Sequence, residues 1–146
     1  MSIGMLQILD LDFQIISANW QGHKNEDDEW VWTVFVDTEE RDLGRLDLWK
    51  PSIRGDEAFL KGLEGPHLEG KKIYIPEAYD TARAEWLFTM YVFEHEDVFD
   101  HTLEFEKQLE DKINVAWSGK CNIAWDEKYG TDVPFKLEAE FTLSFE

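Results

Sequence analysis

The last stretch of the chain alternates without a break: Phe135, Leu137, Ala139, Phe141, Leu143 and Phe145 are apolar, and Lys136, Glu138, Glu140, Thr142, Ser144 and Glu146 are polar. A period of two puts every apolar side chain on one face, so this segment predicts a strand with one packed and one wet side. Upstream, Ile113, Val115 and Trp117 alternate before Ser118-Gly119-Lys120, and Cys121, Ile123 and Trp125 alternate after it. The spacing predicts a hairpin whose loop is Ser118-Gly119-Lys120. An odd loop sets Trp117 opposite Cys121 and Val115 opposite Ile123, whereas an even one would set Trp117 opposite Asn122.

Met5 to Ser17 predicts a first strand through Leu11, Phe13 and Ile15, with an irregularity at Ile8-Leu9 or Ile15-Ile16. Trp30 to Val36 is apolar on both faces and rich in aromatic and β-branched residues, which predicts a central strand; Trp86 to Phe93 predicts another long one. Leu43 to Trp49 and Lys71 to Ile75 are shorter strand segments, and Tyr129 to Pro134 reads as a turn-rich connector. Asp56 to Leu63 and Pro76 to Ala84 predict one or two short helices. Thr102 to Ile113 carries both periods: Leu103 and Phe105 alternate, while Phe105, Leu109 and Ile113 recur at helical spacing. Strand is the preferred reading there, and a helix at 102–113 in an α+β fold is the alternative. Together these elements predict one mainly β domain over residues 1–146, an antiparallel β-sandwich or barrel-like sheet of about eight strands.

A chain of 146 residues can bury a core without disulfide or metal support. Its lone cysteine, Cys121, forms no intramolecular disulfide, which fits a reducing compartment. The first basic residue is Lys24, and Asp10 and Asp12 interrupt the apolar start, so no export signal is read and a cytoplasmic location is expected. No apolar run approaches the roughly 20 residues of a membrane-spanning helix.

Charge changes the picture more than length does. Asp and Glu number 32 against 14 Lys and Arg, a net charge of −18, in a chain with 7 Trp and 10 Phe. Acidic chains stay disordered when they lack apolar surface, and this one has it. Nucleic acid and anionic membranes are disfavoured as partners, because both are bound through Lys and Arg. A basic protein partner is favoured. The surplus charge concentrates in Glu26, Asp27, Asp28 and Glu29, and in residues 94–111.

Two segments could carry chemistry. Glu94-His95-Glu96-Asp97-Val98-Phe99-Asp100-His101 is dense in metal-ligand types, and His95, Asp97 and His101 are its weak metal candidates; a solvated hairpin connection is the plainer reading. The acidic run at Glu26 to Glu29 could hold calcium but lacks the EF-hand spacing; without a cation its like charges predict a disordered loop. Trp20 and Trp30 flank that run and are the tryptophans expected to be partly exposed. No nucleophile elbow, phosphate loop, zinc-protease helix or paired-cysteine motif is present, and no cofactor is indicated. Cys121, in the apolar phase of its segment, reads as a buried small residue rather than a nucleophile.

The leading expectation is a small acidic interaction protein that binds a basic protein in the manner of an inhibitor or immunity protein. Its surface would be Trp20, Glu26, Asp27, Asp28, Glu29, Trp30, Glu94, Glu96, Asp97 and Asp100. The alternatives are a β-sandwich module for carbohydrate or calcium, and an enzyme using a carboxylate site.

Overall fold

Strands whose apolar side chains share one face must cover that face, and this chain covers it by closing the sheet on itself. The computed structural model describes residues 3–44, 48–123 and 130–145; Trp125 and Tyr129, both part of expectations above, lie outside them. In chain order the strands are β1 (Gly4–Ile8), β2 (Leu11–Lys24), β3 (Trp30–Thr38), β4 (Arg41–Asp42), β5 (Leu48–Trp49), β6 (Ser52–Ala58), β7 (Lys72–Ile75), β8 (Tyr79–Asp80), β9 (Glu85–Trp86), β10 (Thr89–Tyr91), β11 (His95–Leu109), β12 (Lys112–Ile123) and β13 (Gly130–Phe145). Eight of them close a barrel in the order β1-β2-β3-β6-β10-β11-β12-β13 and back to β1. Every pairing around it is antiparallel except one. Beyond the Gly4 end of the short β1, β2 and β13 meet directly and run parallel, from Thr142 beside Asn19 to Phe145 beside Gly22.

The interior is filled by rings. Trp20, fully buried, packs edge-on against Phe105 (5.0 Å between centroids), Phe141 (5.9 Å) and Trp117 (6.4 Å), and tilts against Trp32 and Phe88. Such offset and edge contacts suit the quadrupoles of the rings. Space for them comes from inward-facing residues without a side chain. A Cβ at Gly22 would lie 2.5 Å from the Trp32 ring, one at Gly55 would lie 2.6 Å from the Phe88 ring, and one at Gly119 would overlap His101. The outer wall carries the charge, as in Lys136, Glu138 and Glu140 of β13, where a transmembrane barrel carries apolar side chains. Among the described residues no helix is long and apolar enough to cross a membrane.

Several expectations are corrected. Residues 112–123 form one straight strand with no turn at Ser118-Gly119-Lys120; Trp117 and Cys121 share a face because they are four residues apart, and Gly119 takes the inward position between them. Met5 to Ser17 is a hairpin: the irregularity at Ile8-Leu9 is its turn, with Leu9 at φ +57°, and a second register shift lies between Ile15 and Ser17. Neither Asp56 to Leu63 nor Pro76 to Ala84 is helical. The first runs from β6 into a loop at Gly62 (φ +87°), and in the second Tyr79 and Asp80 pair with Trp86 and Glu85. Thr102 to Ile113 is strand, turning at Glu110-Asp111, so the α+β alternative falls. Trp86 to Phe93 is broken into β9 and β10 by Leu87-Phe88, and Gly130 to Pro134 belongs to β13 rather than to a connector.

Candidate functional site

Register places the sequence-predicted residues at two ends of the barrel. Trp30 lies opposite Lys24 and Trp32 opposite Ala58, so the Asn25–Glu29 connection sits at one end, called here the upper end. Ser52 pairs with Asp37 and with Tyr91, and Tyr91 pairs with His95, so Glu94, His95 and Glu96 sit at the lower end. The two acidic runs are therefore not brought together. Trp20 is in the core and offers no surface, because β2 continues past it to Lys24. Trp30 is half-buried, stacked on Trp32 at 5.7 Å with the Lys24 ammonium 6.0 Å from its ring.

The acidic connection is held in shape by hydrogen bonds. The Asn25 Oδ1 accepts from the backbone N–H of Asp27 (2.9 Å) and of Glu29 (3.0 Å), and Asp28 takes φ +61° at the turn. Glu26, Asp27 and Asp28 are exposed, while Glu29 reaches sideways to Arg83. Arg83 Nη1 and Nη2 donate to its two carboxylate oxygens at 3.2 and 3.1 Å. These bonds, then that from Asn25, hold the Glu29 carboxyl below the ordinary range and raise Arg83.

His95, Asp97 and His101 are not brought together. His95 is exposed at the lower end, while a register shift between Phe99 and Thr102, with Asp100 at φ +47°, turns His101 into the core. There His101 Nδ1 accepts from Trp117 Nε1–H (2.9 Å), which leaves the neutral ring's proton on Nε2. Burial pushes its pKa down to about 4. Among the described residues no three His, Cys, Asp or Glu side chains gather closely enough to hold a metal. Asp100 accepts from the Tyr74 hydroxyl (2.6 Å) and pairs with Lys120 (3.3 Å) on the outer wall, which lowers its carboxyl and raises the tyrosine. Cys121 is buried, and desolvation pushes its thiol up to about 12, which favours the protonated form at neutral pH.

The structure draws attention instead to a seam. β10 joins β6 to β11 only at the lower end, through Ser52–Arg54 and His95–Asp97, although β6 continues to Ala58 and β11 to Leu109. In the upper half β11 is flanked by β7 instead. Between β7, the Phe59-Leu60-Lys61 segment and the hairpin of β8 and β9 opens an apolar cleft of about 460 Å³, floored by Leu60, Ile73, Ile75 and Leu87. Arg83 forms part of its wall, with the guanidinium 4.4 Å from the Phe59 ring centroid. A second cleft of about 270 Å³, lined by Trp30, Asp28 and Glu29, shares Phe59 and Leu60 with the first.

One exposed aromatic, Tyr74, lines the cleft, and two more, Tyr79 and Trp86, stand on the hairpin that forms its wall. Tyr74 is 60% and Trp86 55% exposed, and Tyr79 packs edge-on against Trp86 at 4.8 Å. Of the residues expected from the sequence, Asp28, Glu29 and Trp30 line the second cleft, whereas Phe59, Tyr74 and Arg83 of the first, and Tyr79 and Trp86 on its hairpin, were not among them. Only the out-of-phase Trp86 beside buried Leu87 and Phe88 carried a signal for them. No protein-family model matches the chain, and no curated protein or solved structure matches it.

Proposed function

We propose that this barrel is a binding module whose seam receives an apolar group of a basic protein partner. The carrying observation is the apolar cleft lined by the exposed Tyr74 and walled by the hairpin that carries the exposed Tyr79 and Trp86, on a chain of net charge −18. Aromatic side chains at the rim of an apolar pocket are what concentrate binding energy at protein interfaces. The ring-filled interior supports the same placement, since it offers no cavity of its own among the described residues while the seam offers a concave apolar surface. Opposite net charge would speed encounter without fixing where the partner sits.

A photo-crosslinking residue at Trp86, compared with one at Glu138 on the outer wall of β13, tests this in the native cell. Adducts to a basic protein from position 86 and none from position 138 are expected. Equal adducts from both positions, or none from position 86, would refute it. A second reading, carbohydrate binding, is favoured by the exposed Tyr79–Trp86 pair, which offers a ring face for a sugar. A thermal shift with a panel of sugars separates the two, because a ligand that binds only the native state raises its melting temperature.

A further inference from the structure

We infer that the partner enters the seam as an extended segment, added as a strand to the free edge of β7, with apolar residues alternating with Lys or Arg. This rests on the seam being the binding site. β7 pairs with β11 on one side, and among the described residues no strand pairs with its other side. Which of its groups face that open edge follows from the ladder. Phe105 N–H donates to Lys71 C=O (2.8 Å), and the register steps from Glu104 beside Lys72 to His101 beside Ile75. In an antiparallel pair hydrogen-bonded positions alternate, so Ile73 and Ile75 bond to β11 while the N–H and C=O of Lys72 and Tyr74 face away from it.

That free edge borders the cleft, for Ile73, Tyr74 and Ile75 all line it. An added strand would satisfy the main-chain groups of Lys72 and Tyr74 and place every second side chain beside Ile73 and Ile75, over the apolar floor. The remaining side chains would lie on the outer face, beside Lys72 and Tyr74, in the field of a strongly acidic protein. Of the charged residues lining the cleft, Lys61, Asp80 and Arg83, the last is already met by Glu29, so the preference for basic residues comes from the chain's net charge of −18. β7 is four residues long and is followed by Pro76, so it accepts a short segment and gives another copy of the barrel little to pair with.

The test uses short synthetic peptides: one alternating Lys and Val, one alternating Glu and Val, and the Lys-Val peptide N-methylated at alternate residues. Titration of the whole protein, read by amide hydrogen exchange and fluorescence anisotropy, is expected to show binding of the Lys-Val peptide with new protection at the Lys72 and Tyr74 amides. N-methylation should weaken it about tenfold or more, since main-chain bonds are lost while side chains are kept. Tyr74→Pro should weaken it likewise and Tyr74→Ala less, because position 74 donates nothing to β11. Equal binding of the N-methylated peptide would overturn strand addition while leaving the seam as the site. Equal binding of the Glu-Val peptide would overturn the basic occupant. If the Lys-Val peptide does not bind, the inference fails outright, and crosslinking from position 86 still decides the seam independently.

Discussion

Gly119→Ala is the sharpest test of the fold, because the two readings of residues 113–123 assign it opposite effects. In the barrel Gly119 is an inward position of a straight strand. An added Cβ would overlap the Cβ of His101, lie 2.7 Å from its Cα and 3.1 Å from the Asp100 carbonyl oxygen. No rotamer relieves this, since the obstacles are main chain and the first side-chain carbon. His101 is itself fixed by its bond to Trp117 and by stacking on that ring at 5.9 Å. Gly119 is absent from the positive-φ positions, so the clash is the whole local effect.

Overpacking of this kind destabilises by about 1–3 kcal/mol, occasionally more, and a neighbour that cannot move puts this one at about 3 kcal/mol. For a chain of this size that is a fall of roughly 10 °C in melting temperature. In urea, at about 2 kcal/mol/M, it is a shift of roughly 1.5 M in midpoint with the slope unchanged. Tryptophan fluorescence follows the transition, and Ser118→Ala on the exposed side is the control, expected within about 0.5 kcal/mol of the parent. Were Gly119 in a solvent-exposed turn, alanine would change stability by less than about 1 kcal/mol and could raise it. A Gly119→Ala protein as stable as the parent would refute the straight β12 and the packing of β11 behind it.

Three further outcomes are expected. His101 is a base whose folded pKa is depressed, from 6.5 to about 4, so the unfolded chain takes up a proton that the folded one refuses; its contribution is complete above pH 6.5, is lost as pH falls towards 4 and amounts to about 3 kcal/mol. His101→Asn, which keeps an acceptor for Trp117, should flatten the stability profile between those pH values relative to the parent, and parallel profiles would refute the assignment. Cys121 should resist a thiol reagent in the native protein at pH 8 and react fully in denaturant; fast native labelling would contradict its burial. Arg83→Ala should leave the melting temperature nearly unchanged while increasing amide exchange at Asn25–Glu29 and Asp80–Arg83, because the Glu29 pair ties two surface elements rather than the core.

What could be read from the sequence depended on whether inward positions held a side chain. β13 was legible in full because Phe135, Leu137, Ala139, Phe141 and Leu143 all bury an apolar group. β2, β6 and β12 each contain an inward glycine, and each was cut short or missed there. Gly22 made Trp20 look like the edge of a loop, Gly55 left the following residues open to a helical reading, and Gly119 imitated a turn. In each case the space of the missing side chain is taken by a residue distant in sequence, the rings of Trp32 and Phe88 and the backbone and Cβ of His101, a nonlocal fact that no window of sequence contains. The helical spacing of Phe105, Leu109 and Ile113 has a similar origin. A register shift between Phe105 and Gln108 and the turn at Glu110-Asp111 set that spacing, and Leu109, which a helical face would bury, is 65% exposed.

The site was only partly legible because charge was asked to locate it. Glu26 to Glu29 and Glu94 to Asp97 stand at opposite ends of the barrel, Glu29 is engaged by Arg83, Asp100 by Tyr74 and Lys120, and β2, β6, β11 and β13 each carry exposed carboxylates. A field so distributed draws a cation towards the whole molecule and favours no single face. Location has to come from geometry: a closed barrel spends the edges of its strands on one another, and where β10 stops short β11 turns to β7, whose far edge stays open beside an apolar cleft. The two contributions therefore separate kinetically. Salt and surface carboxylates should govern how fast a basic partner arrives, whereas changes along β7 and the Tyr79–Trp86 pair should govern how long it stays.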